Sequence, residues 1–186
     1  LLSLAQRFFH TMQIYPLLAV PFFILAATFM TTGGVAKRMI DFANALVGHF
    51  RGGLAMAALL ACAFFSAVSG SAPATVVAVG GVMIGGMINS GYTPRFASGV
   101  ICNAGTLGIL IPPSLVMVIY GAVTESSIGN LFIAGMLPGL ILTLAMMATI
   151  AIIARRQDLP RQPRATLSEL LRAGWEALWG LVLLLI

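Results

Sequence analysis

Small hydroxyl-bearing residues interrupt an apolar stretch in the first half of the chain. The segment Ser66–Ala74, with the sequence SAVSGSAPA, separates the apolar arms Leu54–Phe65 and Thr75–Ile88. Serine hydroxyls and carbonyls freed from a helix are hard oxygen ligands that suit Na+, and helix N-termini attract carboxylate groups. The segment therefore predicts a binding site for a small cation and an organic anion.

A second interruption, rich in glycine and proline, lies in Gly105–Ser114, which reads GTLGILIPPS. Consecutive prolines remove two backbone donors and disfavour helix in the residue before them. We therefore expect a discontinuous span over Phe96–Thr124, with one half before Gly108 and the other from Ser114 onward. Ser114 can cap the second half and turn its positive N-terminal end inward. The nearby amide of Asn103 suits either a ligand or an interhelical contact.

The lengths of the two arms around the first interruption indicate how they sit in a bilayer. Counted to the break, each arm has about 15 residues, or roughly 22 Å of helix. A hydrocarbon core of about 30 Å needs roughly 20 residues. We therefore predict a re-entrant helical hairpin whose tip lies inside the membrane, shielded by protein or lining a wet cavity. In the second arm, the closely spaced glycines predict tight helix packing; these are Gly80, Gly81, Gly85 and Gly86.

The composition is that of an all-α polytopic membrane protein. The 186 residues are 60% hydrophobic and 8% charged, with a mean hydropathy of +1.03, which is outside the range of soluble domains. The net charge is +5, but the basic residues cluster in short loops, which indicates membrane topology rather than nucleic-acid binding. Cys62 and Cys102 lie in apolar segments without metal-ligand spacing, so we expect them to pack in the core.

An amphipathic pattern follows the first predicted span, Ile14–Thr32. The segment Val35–Phe50 predicts an arm helix that lies in the interface or braces a neighbouring element, with a short cytosolic connector helix as the alternative. Its apolar face consists of Val35, Met39, Phe42, Leu46 and Phe50, and its polar face consists of Lys37, Asp41 and Asn44.

The last third of the chain predicts further helices. After Glu125 we expect a short helix through Leu137 and then a span over Pro138–Ala154. Thr166–Glu169, with the sequence TLSE, predicts a capping box that opens the next helix.

Charge asymmetry predicts the orientation of these elements. A hairpin that enters and leaves on one side places the basic residues together and Glu125 opposite, and the positive-inside rule makes the basic side cytoplasmic. Eight of the ten Lys and Arg residues are placed on that side, and Arg7 is misplaced; the eight are Lys37, Arg38, Arg51, Arg95, Arg155, Arg156, Arg161 and Arg164. Residues 1–53 then hold a span and the amphipathic arm helix, 54–124 the hairpin and the broken helix, and 125–186 a span, a basic cytoplasmic loop and the start of another span.

Enzymatic chemistry is not indicated. Ser69 and Ser71 lack a neighbouring His, Lys or Asp, and no G-x-S-x-G motif frames them. The absence of a titratable residue that must lie at mid-depth argues against proton coupling. A carrier is favoured, and a structural or channel-forming membrane subunit without ion-coupled transport is the alternative.

Four segments, in order along essentially the whole chain, resemble one family. They are Leu17–Ala26 (LLAVPFFILA), Phe65–Ser71 (FSAVSGS), Gly108–Ser114 (GILIPPS) and Phe132–Gly139 (FIAGMLPG). The resemblance is to the large membrane subunit of tripartite ATP-independent periplasmic (TRAP) transporters. That subunit is about twice as long, and this chain has no initiator Met and ends within an apolar run, so we expect the first repeat of a longer subunit.

The resemblance implies an ion-transporter fold with inverted repeats, each holding a re-entrant hairpin and a discontinuous helix. It implies Na+-driven symport of an organic acid anion by an elevator-type movement in the bacterial inner membrane. The implied partners are a periplasmic substrate-binding protein and a small membrane subunit, with no cofactor beyond the coupling Na+. Ser71–Val77 and Ile101–Gly108 look more like the C4-dicarboxylate branch than the sialic-acid branch.

Individual site residues are also implied by the resemblance. The hairpin tip matches at Ser69, Gly70 and Ser71, and the broken helix matches at Gly105, Thr106, Gly108, Pro112, Pro113 and Ser114. Together with Asn103 they would form the first-repeat half of the ion and substrate site. Oxygen atoms of Ser69, Ser71, Gly105 and Thr106 are the expected Na+ ligands.

Overall fold

A computed structural model describes residues 15–157 and 159–182, which form helices and connecting loops without any strand. The start of the first predicted span at Ile14, and the last four residues of the apolar run at the end, lie outside the described residues. The helices are α1 (Tyr15–Thr32), α2 (Val35–Val47), α3 (Gly53–Ser69), α4 (Ala72–Asn89), α5 (Pro94–Gly105), α6 (Leu107–Leu110), α7 (Leu115–Thr124), α8 (Ile128–Arg156) and α9 (Leu167–Val182).

Helices α3 and α4 form the expected hairpin, but its break is shorter than the sequence predicted. The non-helical part is Gly70 and Ser71 alone, so the arms have 17 and 18 residues. The remainder of the segment 66–74 is helical because the hydroxyl groups that suggested a break hydrogen-bond within the hairpin. By length and composition α4 could cross a membrane by itself, so the re-entrant placement stays a prediction.

The outer ends of the hairpin are held together by the turn that follows α4. Tyr92 in this turn is 3% exposed, and its ring stacks on Phe96 with centroids 5.9 Å apart. Its hydroxyl lies near the backbone of Leu54 and Ala55 at the start of α3, and burial raises its pKa. Both ends of the hairpin are therefore closed, one by the tip and one by this tyrosine.

Close helix packing in the hairpin depends on one of the four glycines singled out in α4. A Cβ atom at Gly80 would lie 2.9 Å from a methyl group of Ile101 on α5. At the other three, Gly81, Gly85 and Gly86, a Cβ atom would meet no described atom within 4 Å, so tight packing at these positions stays a prediction. The prediction that both cysteines lie in the core was correct for Cys62 and wrong for Cys102, which is exposed.

The discontinuous helix is present where the proline pair predicted it. Helices α5 and α6 run to Leu110, the chain is extended at Ile111 and Ser114, and α7 begins at Leu115. By contrast, the short helix expected to end at Leu137 was wrong, because α8 continues through Pro138 as one helix of 29 residues.

Helix α8 supports the break through two glycines. A Cβ atom at Gly135 would lie 2.7 Å from the carbonyl oxygen of Leu110, and one at Gly139 would lie 3.0 Å from the Ile111 side chain. These contacts explain the glycine spacing in the segment 132–139, because larger side chains would push α8 away from the break.

The amphipathic helix α2 is shorter than predicted, and its buried face differs. It ends at Val47, and Phe50, which the sequence assigned to the apolar face, is 51% exposed. The buried stripe consists of Ala36, Met39, Ile40 and Ala43. Because α2 packs on α3 and α9, the bracing role is the prediction that the structure supports.

Two contacts bring basic segments to one end of the described structure. A Cβ atom at Gly52 would lie 2.5 Å from the Ala154 side chain, which places Arg51 near Arg155. Tyr92 against Ala55 places the turn before Arg95 at the same end. Three segments are long and apolar enough to cross a membrane, α4, α5 through α7, and α8, with a fourth if the bent pair α1 and α2 counts as one.

The predicted capping box at the start of α9 is half formed. The backbone N–H of Thr166 donates to Glu169 Oε2 at 2.8 Å, and this bond lowers the pKa of Glu169. The Thr166 hydroxyl pairs with Ser168 at 3.2 Å. Glu169 thus satisfies one of the backbone donors that a helix N-terminus leaves free.

We expect Glu169→Gln to fray the first turn of α9, because a neutral amide is the weaker acceptor for the Thr166 N–H. Amide hydrogen exchange of residues 167–170, measured in the full permease, should accelerate. Glu176→Gln, on the same helix and paired with Arg172, is the matched control and should leave that turn unchanged. Since the Glu169 pKa is lowered, the wild-type turn should keep its protection above the ordinary value of 4.5 and lose it as the pH falls through the lower folded-state pKa. Equal exchange in both variants would contradict the capping role.

Candidate functional site

The hairpin tip rests directly on the break in the discontinuous helix. The backbone N–H of Leu115, the first residue of α7, donates to the Gly70 carbonyl at 3.0 Å. Gly70 has a left-handed conformation with φ of 60°, and a Cβ atom there would overlap the Pro113 carbonyl. Glycine is therefore required at the tip both for its conformation and for the close approach of the two backbones.

Two glycines of the broken helix receive the first turn of α4. A Cβ atom at Gly108 would lie 2.8 Å from the Ala72 nitrogen and 2.9 Å from the Ser71 carbonyl carbon. A Cβ atom at Gly105 would overlap the Val76 side chain. The predicted site residues of the tip and of the break are thus brought together, with backbone against backbone.

Hydroxyl groups stabilise the tip from within the hairpin. The Thr75 hydroxyl donates to the Ser71 carbonyl at 2.9 Å, and Ser66 Oγ and Ser69 Oγ lie 3.3 Å and 3.2 Å from Thr75 Oγ1. With the Thr75 hydrogen directed to the Ser71 carbonyl, the Ser66 hydroxyl is placed to donate to Thr75. The Ser69 hydroxyl is placed to donate either to Thr75 Oγ1 or, at 3.5 Å, to the Ser71 carbonyl. All three side chains are buried, and Ser69 also accepts a bond of 3.4 Å from the Ser71 N–H.

This cluster involves one predicted site residue and two residues that were not predicted. The Ser69 hydroxyl contacts Thr75 inside the tip, and its role as an ion ligand stays a prediction. Ser66 and Thr75 lie within or beside the predicted break but were not selected as site residues. The sequence feature that could have identified them is the position of hydroxyl residues on the two apolar arms. Ser66 and Thr75 lie close enough to the tip to face each other across the hairpin.

Ser114 occupies the N-cap position of α7, as predicted, but its side chain forms no capping bond. The residue is 0% exposed, and Ser114 Oγ has no hydrogen-bond partner among the described residues. A buried hydroxyl left unpaired costs about 1–3 kcal/mol. This oxygen belongs to the residue between Pro113 and Leu115, both of which contact Gly70, and it is available to a ligand at the junction.

Ser71 is the N-cap of α4. Its hydroxyl accepts from the Ala74 N–H over a long distance of 3.5 Å, and Pro73 occupies the first turn of the helix. The N-termini of α4 and α7 therefore meet at the junction of tip and break, so two positive helix ends lie close together. Such an arrangement favours an anion such as a carboxylate.

Asn103 and Thr106 are not brought to the junction by their side chains. Both are exposed on α5, where Asn103 Nδ2 donates to the Gly99 carbonyl at 2.8 Å and the Thr106 hydroxyl donates to the Asn103 carbonyl at 2.7 Å. Their buried neighbours Ala104 and Leu107 face the hairpin instead. Pro112 lies in the break, half-buried and next to Pro113.

The junction offers oxygen atoms and helix ends, but no charged side chain. In the described part of the chain, no group of three or more His, Cys, Asp or Glu residues could hold a metal ion. The available ligands are serine hydroxyls and backbone carbonyls, which fit a weakly bound hard cation such as Na+. They do not have the chemistry of a transition-metal site.

Comparison with known proteins identifies the family. The sequence profile described as "Tripartite ATP-independent periplasmic transporter, DctM component" matches residues 2–186. The chain belongs to this family. As a member, it is a multi-pass protein of the bacterial inner membrane, which agrees with its three span-length apolar segments in the described structure.

Individual relatives are also named as TRAP transporter permeases. The C4-dicarboxylate TRAP transporter large permease proteins of Pseudomonas aeruginosa and Vibrio cholerae are 61% and 57% identical over 184 and 187 residues. These matches cover 99% and 100% of this chain, and 43% and 41% of those relatives. The sialic acid TRAP transporter permease protein of Haemophilus influenzae is 38% identical over 177 residues, or 95% of this chain and 29% of that relative. The chain thus spans about two-fifths of the length of these two C4-dicarboxylate permeases.

We expect Gly108→Ala to destabilise the permease by about 1–3 kcal/mol, because its methyl group would collide with the backbone of Ala72. Gly85→Ala is the matched control, since its methyl group would point into open space and alanine favours helix by about 0.5–1 kcal/mol. Thermal unfolding of the purified complex should therefore shift in opposite directions for the two variants. A loss of stability in Gly85→Ala equal to that in Gly108→Ala would show that the contact with the tip is not the cause.

Proposed function

We propose that this chain supplies the first-repeat half of the binding site in a Na+-coupled importer of an organic acid anion. The observation that carries the proposal is the buried, unpartnered hydroxyl of Ser114 at the point where the hairpin tip meets the broken helix. Folding leaves few buried polar groups unpaired, and such groups call for an explanation. A bound ion supplies one here.

Na+ is the ion that these oxygen atoms favour. Ser114 Oγ is uncommitted, and the Ser71 hydroxyl has a single long bond, whereas the Ser69 hydroxyl is engaged in the tip. Of the expected Na+ ligands, Ser71 and the Gly105 carbonyl therefore remain the better candidates, with Ser114 added. Sodium bound at this point would hold the tip and the break in one arrangement, so that the site is formed when the ion is present.

The paired helix N-termini provide for the substrate. Their partial positive charges attract a carboxylate without a basic side chain, which fits the absence of charged residues at the junction. The matching half of the site would come from the second inverted repeat of the full permease. In this proposal the hairpin and broken helix move together as the transport domain of an elevator, and α1 and α2 belong to the scaffold.

A C4-dicarboxylate is the substrate class that we propose. Three relatives named for C4-dicarboxylate transport are 61%, 57% and 46% identical to this chain, whereas relatives named for ectoine/5-hydroxyectoine and sialic acid are 45% and 38% identical. The proposal includes a small membrane subunit and a periplasmic binding protein that delivers the substrate. The family name describes a tripartite, periplasmic system.

We expect Ser114→Ala to abolish or weaken Na+ dependence while leaving the fold intact. Removing a buried hydroxyl that has no described partner relieves its desolvation cost, so the variant should be at least as stable as the wild type in the absence of Na+. The same substitution removes a proposed ion ligand. In proteoliposomes that contain the full complex, the Na+ concentration for half-maximal uptake should rise at least tenfold. Ser69→Ala is the control: it should lower thermal stability by about 1 kcal/mol, the worth of one hydrogen bond, with a smaller effect on Na+ dependence. A wild-type Na+ response in Ser114→Ala would contradict the proposed ion site.

Uptake of a radiolabelled C4-dicarboxylate by the full complex tests the function itself. We expect saturable uptake that requires both an inward Na+ gradient and the binding protein. Uptake that needs neither and does not saturate would indicate a channel-forming subunit, the alternative that the sequence left open. Uptake of another organic acid under the same two requirements would retain the mechanism and correct the substrate.

A further inference from the structure

The loop between α8 and α9 is held in place by the helices beneath it. Asn44 Nδ2 on α2 donates to Gln162 Oε1 at 2.7 Å, and the Gln162 N–H donates to the Gly48 carbonyl at 3.2 Å. At the start of the loop, the Leu159 N–H donates to the Ala154 carbonyl at 3.1 Å, and the Leu159 side chain packs against the core. The sequence placed Asn44 on a polar outer face, but its amide is committed to this loop.

The arginines of this region remain exposed although the backbone is held. Arg155, Arg156, Arg161 and Arg164 are all exposed. None of them forms an ion pair with a described residue; among the described residues of α9, Arg172 pairs with Glu176 at 3.1 Å. Residues 155–164 contain four arginines and one aspartate, a net charge of +3. Exposed positive charge of this density attracts a phosphate-bearing surface.

Helix α9 continues from this loop and carries an unusual exposed stripe. Gly174 and Ala177 face inward: a Cβ atom at Gly174 would lie 3.4 Å from the Phe42 ring on α2, and Ala177 is 1% exposed. The outward stripe is apolar and consists of Leu167 (72% exposed), Leu171 (66%), Trp175 (67%) and Leu178 (42%). Its spacing of four, four and three residues places these side chains on one side of the helix.

We propose that Arg161 and Arg164, together with the stripe Leu167, Leu171, Trp175 and Leu178, form a binding surface for anionic phospholipid of the leaflet on the basic side. The arginines would bind headgroup phosphates, and the stripe would lie among the upper parts of the acyl chains. The arginines lie in the loop directly before α9, so basic groups and an exposed apolar stripe are adjacent, as in segments that lie in a membrane interface. An acidic protein would match the arginines but leave the leucine stripe uncovered.

This surface has a structural role in our proposal. Because α9 packs on α2, and α2 packs on α3, lipid bound to α9 would fix the bracing helices relative to the bilayer. The proposal concerns a face away from the junction of tip and break. It therefore stands or falls independently of the transported substrate.

Lipid binding to the delipidated full complex in detergent provides the test, with binding followed by native mass spectrometry. We expect phosphatidylglycerol to bind more tightly than phosphatidylcholine with the same acyl chains. The double variant Arg161→Gln/Arg164→Gln should weaken phosphatidylglycerol binding about thirtyfold, since each surface arginine contributes about fivefold. It should leave phosphatidylcholine binding unchanged.

Two controls make the expectation specific. Arg95→Gln removes an exposed basic residue at the same end of the structure but outside the loop, and should leave phosphatidylglycerol binding unchanged. Trp175→Ser should weaken binding of both lipids, because it removes apolar contact rather than charge.

Several outcomes would overturn the proposal. Equal affinity for the two lipids would remove the role of the arginines, and an equal loss in Arg95→Gln would show a general effect of net charge. Full competition by glycerophosphate at the lipid concentration would indicate a site for free phosphate compounds. Cross-linking of residue 175 to another subunit in the native membrane would identify a protein as the occupant.

Discussion

Two helices in this chain are interrupted, and the backbone groups released by one interruption pair with those released by the other. The bond between the Leu115 N–H and the Gly70 carbonyl is the centre of this arrangement. In an apolar environment each such group would be costly if left alone. The glycines at 70, 105 and 108 are small enough for the two backbones to reach each other. Most other features of the site depend on this contact, including the meeting of two helix N-termini.

The chemistry of the junction depends on which of its hydroxyl groups are already hydrogen-bonded. The serine and threonine hydroxyls inside the hairpin satisfy each other and the Ser71 carbonyl, so they shape the tip. Ser114 is the exception, since its hydroxyl is buried with no described partner. A site assembled in this way holds its ligands through dipoles and single oxygen atoms. Such contacts are weak enough individually for an ion or a carboxylate to leave again.

The sequence allowed prediction of the helix breaks because proline and glycine restrict the backbone locally. The break before Ser114 was placed correctly, whereas the hairpin break was drawn too long. Serine has a weak preference against helix, and this preference is overridden when its hydroxyl finds a partner on the opposite arm. Pro138 led to the wrong prediction of a helix end, because α8 continues through this proline without ending.

The direction in which individual side chains point was harder to predict than the positions of the helix breaks. Asn103 and Thr106 lie beside the second interruption in the sequence, yet the rotation of α5 turns them outward. Rotation of a helix is set by what packs on it, and the packing partners Ala72 and Val76 come from another element. The sequence likewise gives no indication that the Ser114 hydroxyl lacks a hydrogen-bond partner, because an N-cap serine normally bonds to its own helix.

The closure of the hairpin at both ends makes it stiff. To separate the tip from the break, the chain would have to give up the Gly70 bond, while Tyr92 holds the opposite ends of the same two helices against each other. Bending either arm alone would therefore strain two distant contacts at once. A displacement of the tip would therefore move α3 and α4 along their full length, because no local hinge lies between the two contacts. The hairpin and the broken helix would move as one rigid body.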